Sequence, residues 1–261
     1  MSQDVIIKDD IIIIPVGSTE NHGAAGPVGE DTFIVTRIAE MVAEKTGCTV
    51  AAPVWYGSHP FHHIGQPCTI PLPDHVFIEF IRALITGFWN TGFRKQIYIS
   101  FHGQEYSLPV AIQEWGKRYQ VPAMIFFVDI PRVMGQTLMD KAHGGPYERP
   151  FQHACEAEQS ISLALFPELC KQEYAENTDV RGFLPPGHVD RGGDIYGYPI
   201  PGHCQVGNCG IECVTFPEGV LGHARDADPA KAVASIEKIC DYLVNLHDDI
   251  LESFPLGKLP P

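Results

Sequence analysis

The chain has 261 residues, a formal net charge of -14 and a pI near 5.2. That balance argues against nucleic acid and anionic membrane as partners, since both require clustered Lys and Arg. No stretch approaches the roughly 18 apolar residues needed to span a bilayer, and Met1-Ser2-Gln3-Asp4 has neither a basic n-region nor an apolar signal core, so a cytoplasmic protein is expected. The eight cysteines are scattered without the spacing of a disulfide framework and read as free thiols.

In chain order, Ile11–Val16 reads as a buried strand. Phe33–Thr46 has helical periodicity with Ile34, Ile38, Met41 and Val42 on one face. Thr49–Pro53 reads as a short strand. His75–Trp89 is expected to be a helix whose apolar face carries Val76, Phe80, Leu84 and Phe88. Gln96–Phe101 reads as a strand that ends at His102. Ser107–Tyr119 is helical, Ala123–Val128 a strand, Glu156–Phe166 a short helix and Pro229–Leu251 a long one. Strands alternating with helices imply βαβ units, hence an α/β fold with a mostly parallel sheet covered by helices on both faces. One domain over residues 1–261 is expected. Residues 182–210 are rich in Gly and Pro without helical period, and read as a long functional loop or an oligomer contact.

Chemistry-bearing residues gather at strand exits, where α/β proteins place their sites. Directly after the first strand come Glu20, His22 and Asp31, on a loop stiffened by glycines and one proline. Carboxylates and an imidazole together suit a divalent cation. The plainer alternative is a solvated loop with Asp31 capping the next helix. His102 follows another core strand, with Gln104 and Glu105 close behind. His153 precedes a helix start that carries Glu156 and Glu158; acidic residues in a first turn also complement the helix dipole. His59, His62 and His63 crowd a single loop, either to contact substrate or as surface imidazoles. His203, Cys204, Cys209 and Cys213 match neither a paired C-x-x-C zinc site nor a ferredoxin pattern, and reduced thiols are expected there.

These pieces resemble the creatininase (creatinine amidohydrolase) family, in the family's order. Gly17-Ser18-Thr19-Glu20-Asn21-His22-Gly23 with Gly29-Glu30-Asp31-Thr32 resembles its opening signature, G-S-x-E-Q-H-G followed by G-T-D. Gln66-Pro67-Cys68-Thr69 resembles its F-P-G-T turn, and Phe101-His102-Gly103-Gln104 its N-G-H-G-G-N loop. His153-Ala154-Cys155-Glu156-Ala157-Glu158-Gln159-Ser160 resembles H-A-G-E-x-E-T-S, and Gly219-Val220-Leu221-Gly222 a C-terminal glycine motif.

The resemblance implies a three-layer αβα fold and two divalent ions, zinc or manganese. Glu20 and His102 would hold one ion and His22 the other, Asp31 would bridge them, and Glu158 would stand in as a further ligand for the Glu that Gln104 replaces. A metal-activated water would attack a carbonyl, and His153 would move the proton, helped by Glu156 as orienting group or relay. Glu156 could equally be an ordinary helix-start charge. The chain departs from the pattern at Phe101, Gln104 and Cys155, and has no tryptophan in the stretch before His153. Its polar residues there suit a polyol or keto-sugar better than a flat heterocycle, with His62, His63, Gln104 and Arg149 as substrate contacts. It is similar to family members of inositol catabolism that open a diketo-inositol ring, 3-dehydro-scyllo-inosose. A cyclic amide hydrolase, a peptidase or deformylase, and a non-catalytic metal-binding protein are the alternatives. Homo-oligomers, commonly hexamers, are what the resemblance implies for assembly.

Overall fold

The computed structural model describes residues 9–60, 63–179, 184–185 and 212–261. His62, Cys204 and Cys209, and nearly all of the expected 182–210 loop, lie outside these residues.

Four parallel strands form the sheet in the order β2-β1-β3-β4: β1 is Ile11–Pro15, β2 Thr49–Val50, β3 Lys95–Ser100 and β4 Met124–Asp129. The long helices among the described residues are α1 (Glu30–Thr46), α2 (Asp74–Asn90), α3 (Ser107–Tyr119), α4 (Glu156–Leu165) and α5 (Pro229–Ser253). Every residue of β1 is buried, because both faces of a parallel sheet are covered. Ile11 and Ile13 pack with α1, α4 and α5, while Ile12 and Ile14 pack with α2 and α3. This period-two split of one strand between two cores makes the three-layer αβα arrangement expected from the sequence.

Two expectations change. The second strand shrinks to Thr49–Val50. Helix α2 is turned about its axis: Phe77, Ile81 and Ile85 are buried, whereas Val76 and Phe80 stand exposed. The helix is apolar on more than one side, so periodicity alone could not select the buried stripe. The six described cysteines Cys48, Cys68, Cys155, Cys170, Cys213 and Cys240 are free.

Candidate metal centre

The loop after β1 is bent by close packing. A Cβ on Gly17 would stand 2.2 Å from Thr32 Oγ1 and 2.5 Å from Thr32 Cα, so only glycine lets the strand exit pass against the start of α1. The contact is fixed by Thr32 Oγ1 donating to Ser18 O at 3.1 Å. Helix α1 begins at Glu30 with Gly29 as its N-cap and no side-chain cap. Asp31 therefore lies inside the first turn and is not a capping residue.

Glu20, His22, Asp31, His102 and Glu158 converge, each at most 3% exposed. Glu20 Oε1 is 3.0 Å from His102 Nδ1, which is 3.4 Å from Asp31 Oδ2. The other oxygen, Asp31 Oδ1, lies 3.8 Å from His22 Nε2, which is also 3.9 Å from Glu158 Oε1 and 3.8 Å from Glu20 Oε1. Asp31 thus turns one oxygen to the His102 side and one to the His22 side. Each ring is aimed through its second nitrogen: His102 Nε2 bonds Ser58 O at 2.9 Å, and His22 Nδ1 bonds Glu20 O at 3.2 Å. Ser18 Oγ donates to Asp31 Oδ2 at 2.7 Å. Glu158 Oε2 accepts from Ala154 N at 2.6 Å, closing the start of α4 and leaving Oε1 for the cluster.

Among the described residues His22 Nε2 has no hydrogen-bond partner. Its 3.8–3.9 Å separations from three carboxylate oxygens are too long for hydrogen bonds. They match two ligands bound about 2 Å from one common ion, which stand roughly 3–4 Å apart. Glu20, His63 and His102 form a further group whose ligand atoms lie within 4.8 Å of one another, as do His22, Asp31 and Glu158. The donor set, carboxylates with imidazoles, is that of zinc and manganese centres.

The electrostatics follow from crowding. Burial works to raise Glu20, but the imidazoles of His102, His63 and His153 outweigh it and hold the carboxyl well below its usual value. Burial works to lower His22 and His102, and the surrounding carboxylates outweigh it in the opposite sense. Glu158 is pushed well above the carboxylate range by burial, reinforced by Glu30, Asp31 and Glu20.

His153 abuts the cluster with its ring 4.6 Å from those of His22 and His63. Its Nε2 bonds Asn21 O at 2.6 Å. A carbonyl only accepts, so Nε2 carries the hydrogen and the Nδ1 lone pair, 3.6 Å from Glu20 Oε1, faces the cluster. Burial pushes His153 down to about 3, so its Nδ1 stays unprotonated.

The remaining expected site residues are placed differently. His63 Nδ1 bonds Glu20 Oε2 at 2.8 Å, beside the cluster. Gln104 is fully buried, and its amide nitrogen donates to Ser100 Oγ and the carbonyls of Val16 and Gly17, bracing the strand ends. Arg149 is exposed, and its backbone N–H donates to Glu156 Oε2 at 3.2 Å. Of the two readings of Glu156, its contacts favour the helix-start charge: Oε2 also accepts from Glu148 N at 2.8 Å, and Oε1 pairs with Lys231 Nζ at 2.6 Å. Its carboxylate ties α4 to α5 and the preceding loop.

Three further residues border the cluster, of which the sequence had offered only His59. His59 lies with Nε2 3.4 Å from Glu20 Oε2, its pKa lowered by burial to about 4. Glu30, fully buried, accepts from Ser162 Oγ at 2.6 Å. Ser58 acts through its backbone carbonyl, for which the sequence carries no signal; Glu30 was legible as the residue standing where the family signature has Thr.

The fold and the cluster define an α/β protein with a candidate divalent-cation centre at the carboxyl ends of its strands. A model of the family described as creatinine amidohydrolase matches residues 2–247, and the chain belongs to the creatininase family. It is 54% identical over 252 residues to 3-dehydro-scyllo-inosose hydrolase of Thermotoga maritima, covering 97% of this chain and 81% of that protein. Two solved structures, a mutant creatininase of Zn-Zn type and a manganese creatininase, each superpose with a TM-score of 0.71 at 19% identity. Each superposition covers 97% of this chain and 94% of theirs. At that identity they establish the fold alone.

Proposed function

We propose that this chain is a metal-dependent hydrolase that opens a small polyhydroxylated ring, with the diketo-inositol 3-dehydro-scyllo-inosose as substrate. The observation that carries the reading is the pair of Asp31 oxygens directed to two different ligand groups, with His22 Nε2 left without a partner. Glu20, His102 and Asp31 Oδ2 would hold one ion; His22, Glu158 and Asp31 Oδ1 the other. Zinc or manganese suits both sets. The 54% identity to a named 3-dehydro-scyllo-inosose hydrolase supports the substrate.

Bound there, two divalent cations supply Lewis acidity that polarises a carbonyl and lowers the pKa of water toward neutrality. The chain's own groups do the rest. Burial of all five ligands excludes bulk solvent and strengthens every charge interaction in the site. His153, fixed by Asn21 O, presents Nδ1 to take the proton of the attacking water. As the bond from the carbonyl carbon to its ring neighbour breaks, the electron pair goes to that neighbour. His153 returns the proton there, leaving an open-chain keto-acid.

Purified protein of measured metal content, incubated with 3-dehydro-scyllo-inosose and separately with creatinine, tests the reading by NMR of the products. Ring opening of the first that is lost on chelation is expected; comparable turnover of creatinine would overturn the substrate. A homo-oligomer, hexameric by resemblance, is part of the proposal and is tested by light scattering, and a cytoplasmic location by fractionation. No described helix is long and apolar enough to cross a membrane.

A further inference from the structure

Beside the cluster lies a narrow crevice lined by Glu20, His63, Gln66, Thr69, His153 and Phe216 among others. Glu20 and His153 are shared with the centre described above, so a molecule in this cleft meets the reacting groups. Gln66 is the anomaly in its wall. It stands where the family turn F-P-G-T carries Phe, and it is only 7% exposed.

Its amide orientation is fixed by chemistry. Gln66 bonds the carbonyl oxygen of Phe216 at 2.8 Å. A carbonyl only accepts, so the atom facing it is Nε2. Oε1 is then the free end of the side chain. It is buried and has no hydrogen-bond partner among the described residues. A buried carbonyl oxygen left unpaired is costly, and its presence asks for an explanation. The turn holds it firmly in place. Thr69 N donates to Gln66 O at 3.2 Å, Asn21 N donates to Thr69 Oγ1 at 3.1 Å, and Asn21 Nδ2 donates to Pro67 O at 3.1 Å. These bonds lock the Gln66 turn to the loop that carries Glu20 and His22.

We propose that Gln66 is a specificity-determining residue: Oε1 accepts a hydrogen bond from a hydroxyl of the substrate. It thereby selects a polyhydroxylated ring over rings that lack a donor at that position. This rests on the function proposed above and adds which side chain reads the hydroxyl pattern. A rigid acceptor that is unmatched before binding rewards the correct donor and penalises its absence. Phe at the same place would offer only an apolar surface.

The test uses the metal-loaded protein and two variants, assayed on 3-dehydro-scyllo-inosose and on a set of its monodeoxy analogues. For the wild type, one deoxy analogue should lose kcat/KM by about tenfold to a hundredfold, the effect of one hydrogen bond to a buried group. Gln66→Met removes the acceptor at nearly constant volume. It should lower kcat/KM on the parent by a similar factor, mainly through KM, and bring the ratio of parent to that analogue close to one. Gln66→Glu keeps an acceptor oxygen while exchanging the amide donor to Phe216 for a carboxyl, and should keep the discrimination at a pH low enough to hold that carboxyl neutral. Metal content and thermal midpoint, measured on each, report any general disruption.

If both variants lose discrimination equally, the Phe216 anchor is the whole role of Gln66 and the proposal is overturned. It is overturned as well if Gln66→Met discriminates like the wild type at full metal load. A wild type that binds metal but leaves every ring intact refutes the proposed function instead. In that case titration of the same compounds into the wild type and Gln66→Met decides the Gln66 assignment from binding alone.

Discussion

The two ends of the sheet carry buried polar clusters of similar composition and opposite design. At the amino end, Asp9 and Asp10 precede β1 and Lys95 opens β3. Lys95 is fully buried, and Nζ donates to Asp10 Oδ1 at 2.9 Å, Phe254 O at 2.5 Å and Pro255 O at 3.1 Å, using all three donors. Asp10 Oδ2 accepts from Gly257 N at 2.9 Å. His247 bonds Asp9 through Nε2 at 2.7 Å and Asp248 through Nδ1 at 2.8 Å, and Asp9 Oδ1 accepts from Ile11 N at 2.8 Å. Every one of these groups is matched, and together they clamp the end of α5 to the sheet. At the carboxyl end His22 Nε2, Glu30 Oε2, His59 Nε2, Gln66 Oε1 and Gln104 Oε1 have no partners among the described residues. Buried polar groups are normally satisfied, so the matched cluster reads as architecture and the unmatched one as a place for something else. Composition alone would not have told them apart.

The largest effect should come from breaking the unmatched end. Asp31→Asn removes the charge shared by both proposed ligand groups. It should reduce turnover by roughly a thousandfold or more and lower the bound metal, read by elemental analysis. The ion-free fold should also lose some stability, because the Asp31 carboxylate, which burial would raise but His22 and His102 hold below its usual value, offsets those buried imidazoles. Full metal content with full activity would sink the assignment.

Lys95→Met at the matched end should do the reverse. It strands Asp10 in the interior, at a cost of about 3–5 kcal/mol in denaturant unfolding, while activity per folded molecule with metal bound is retained. The double variant Lys95→Met/Asp10→Asn should recover much of the loss. A single variant as stable as the wild type would show that the clamp is ornamental.

Asp129 tests an intermediate case. It ends β4, caps the following turn by accepting from Arg132 N at 3.2 Å, and has Oδ2 3.5 Å from Arg132 Nε. Burial, then Glu105, pushes its carboxyl up to about 7. Between about pH 4 and 7 the folded protein keeps a proton that the unfolded chain has released. Stability therefore falls as pH rises through that window, by about 2–4 kcal/mol. Asp129→Asn keeps the cap and should flatten the profile measured by thermal unfolding from pH 5 to 8. An unchanged profile would place the titration elsewhere.

The smallest effect is expected at Glu156. Glu156→Gln should cost about 1–2 kcal/mol of stability through the weakened Lys231 tie and leave turnover within a few-fold. A collapse of turnover at full metal load would instead restore the carboxylate as a proton relay.

Most of the fold was legible because its signals are local. Ser107–Tyr119 was read to the residue, and β1, β3 and β4 within one residue at either end. The strand at Thr49 was overextended because Ala51–Pro53 look apolar; the regular ladder with β1 covers Thr49 and Val50, and beyond it single bonds run from Ala51 N to Ile13 O and from Val54 N to Pro15 O. At the site, the residue types and their strand exits were visible. Their use was not: the Nε2 of Gln104, a residue expected to contact substrate, donates to backbone carbonyls, an interaction with no sequence signature.

Glu156 and Glu158 draw the boundary most clearly. Sequence alone determined that two carboxylates occupy the first turn of one helix, because periodicity and residue chemistry are local properties. At about 100° per residue the two side chains leave that helix on nearly opposite sides. Nothing local says which side faces the strand exits. Packing of α4 between α1 and α5 decides it, sending Glu156 to Lys231 and Glu158 Oε1 to the unpartnered nitrogen of His22.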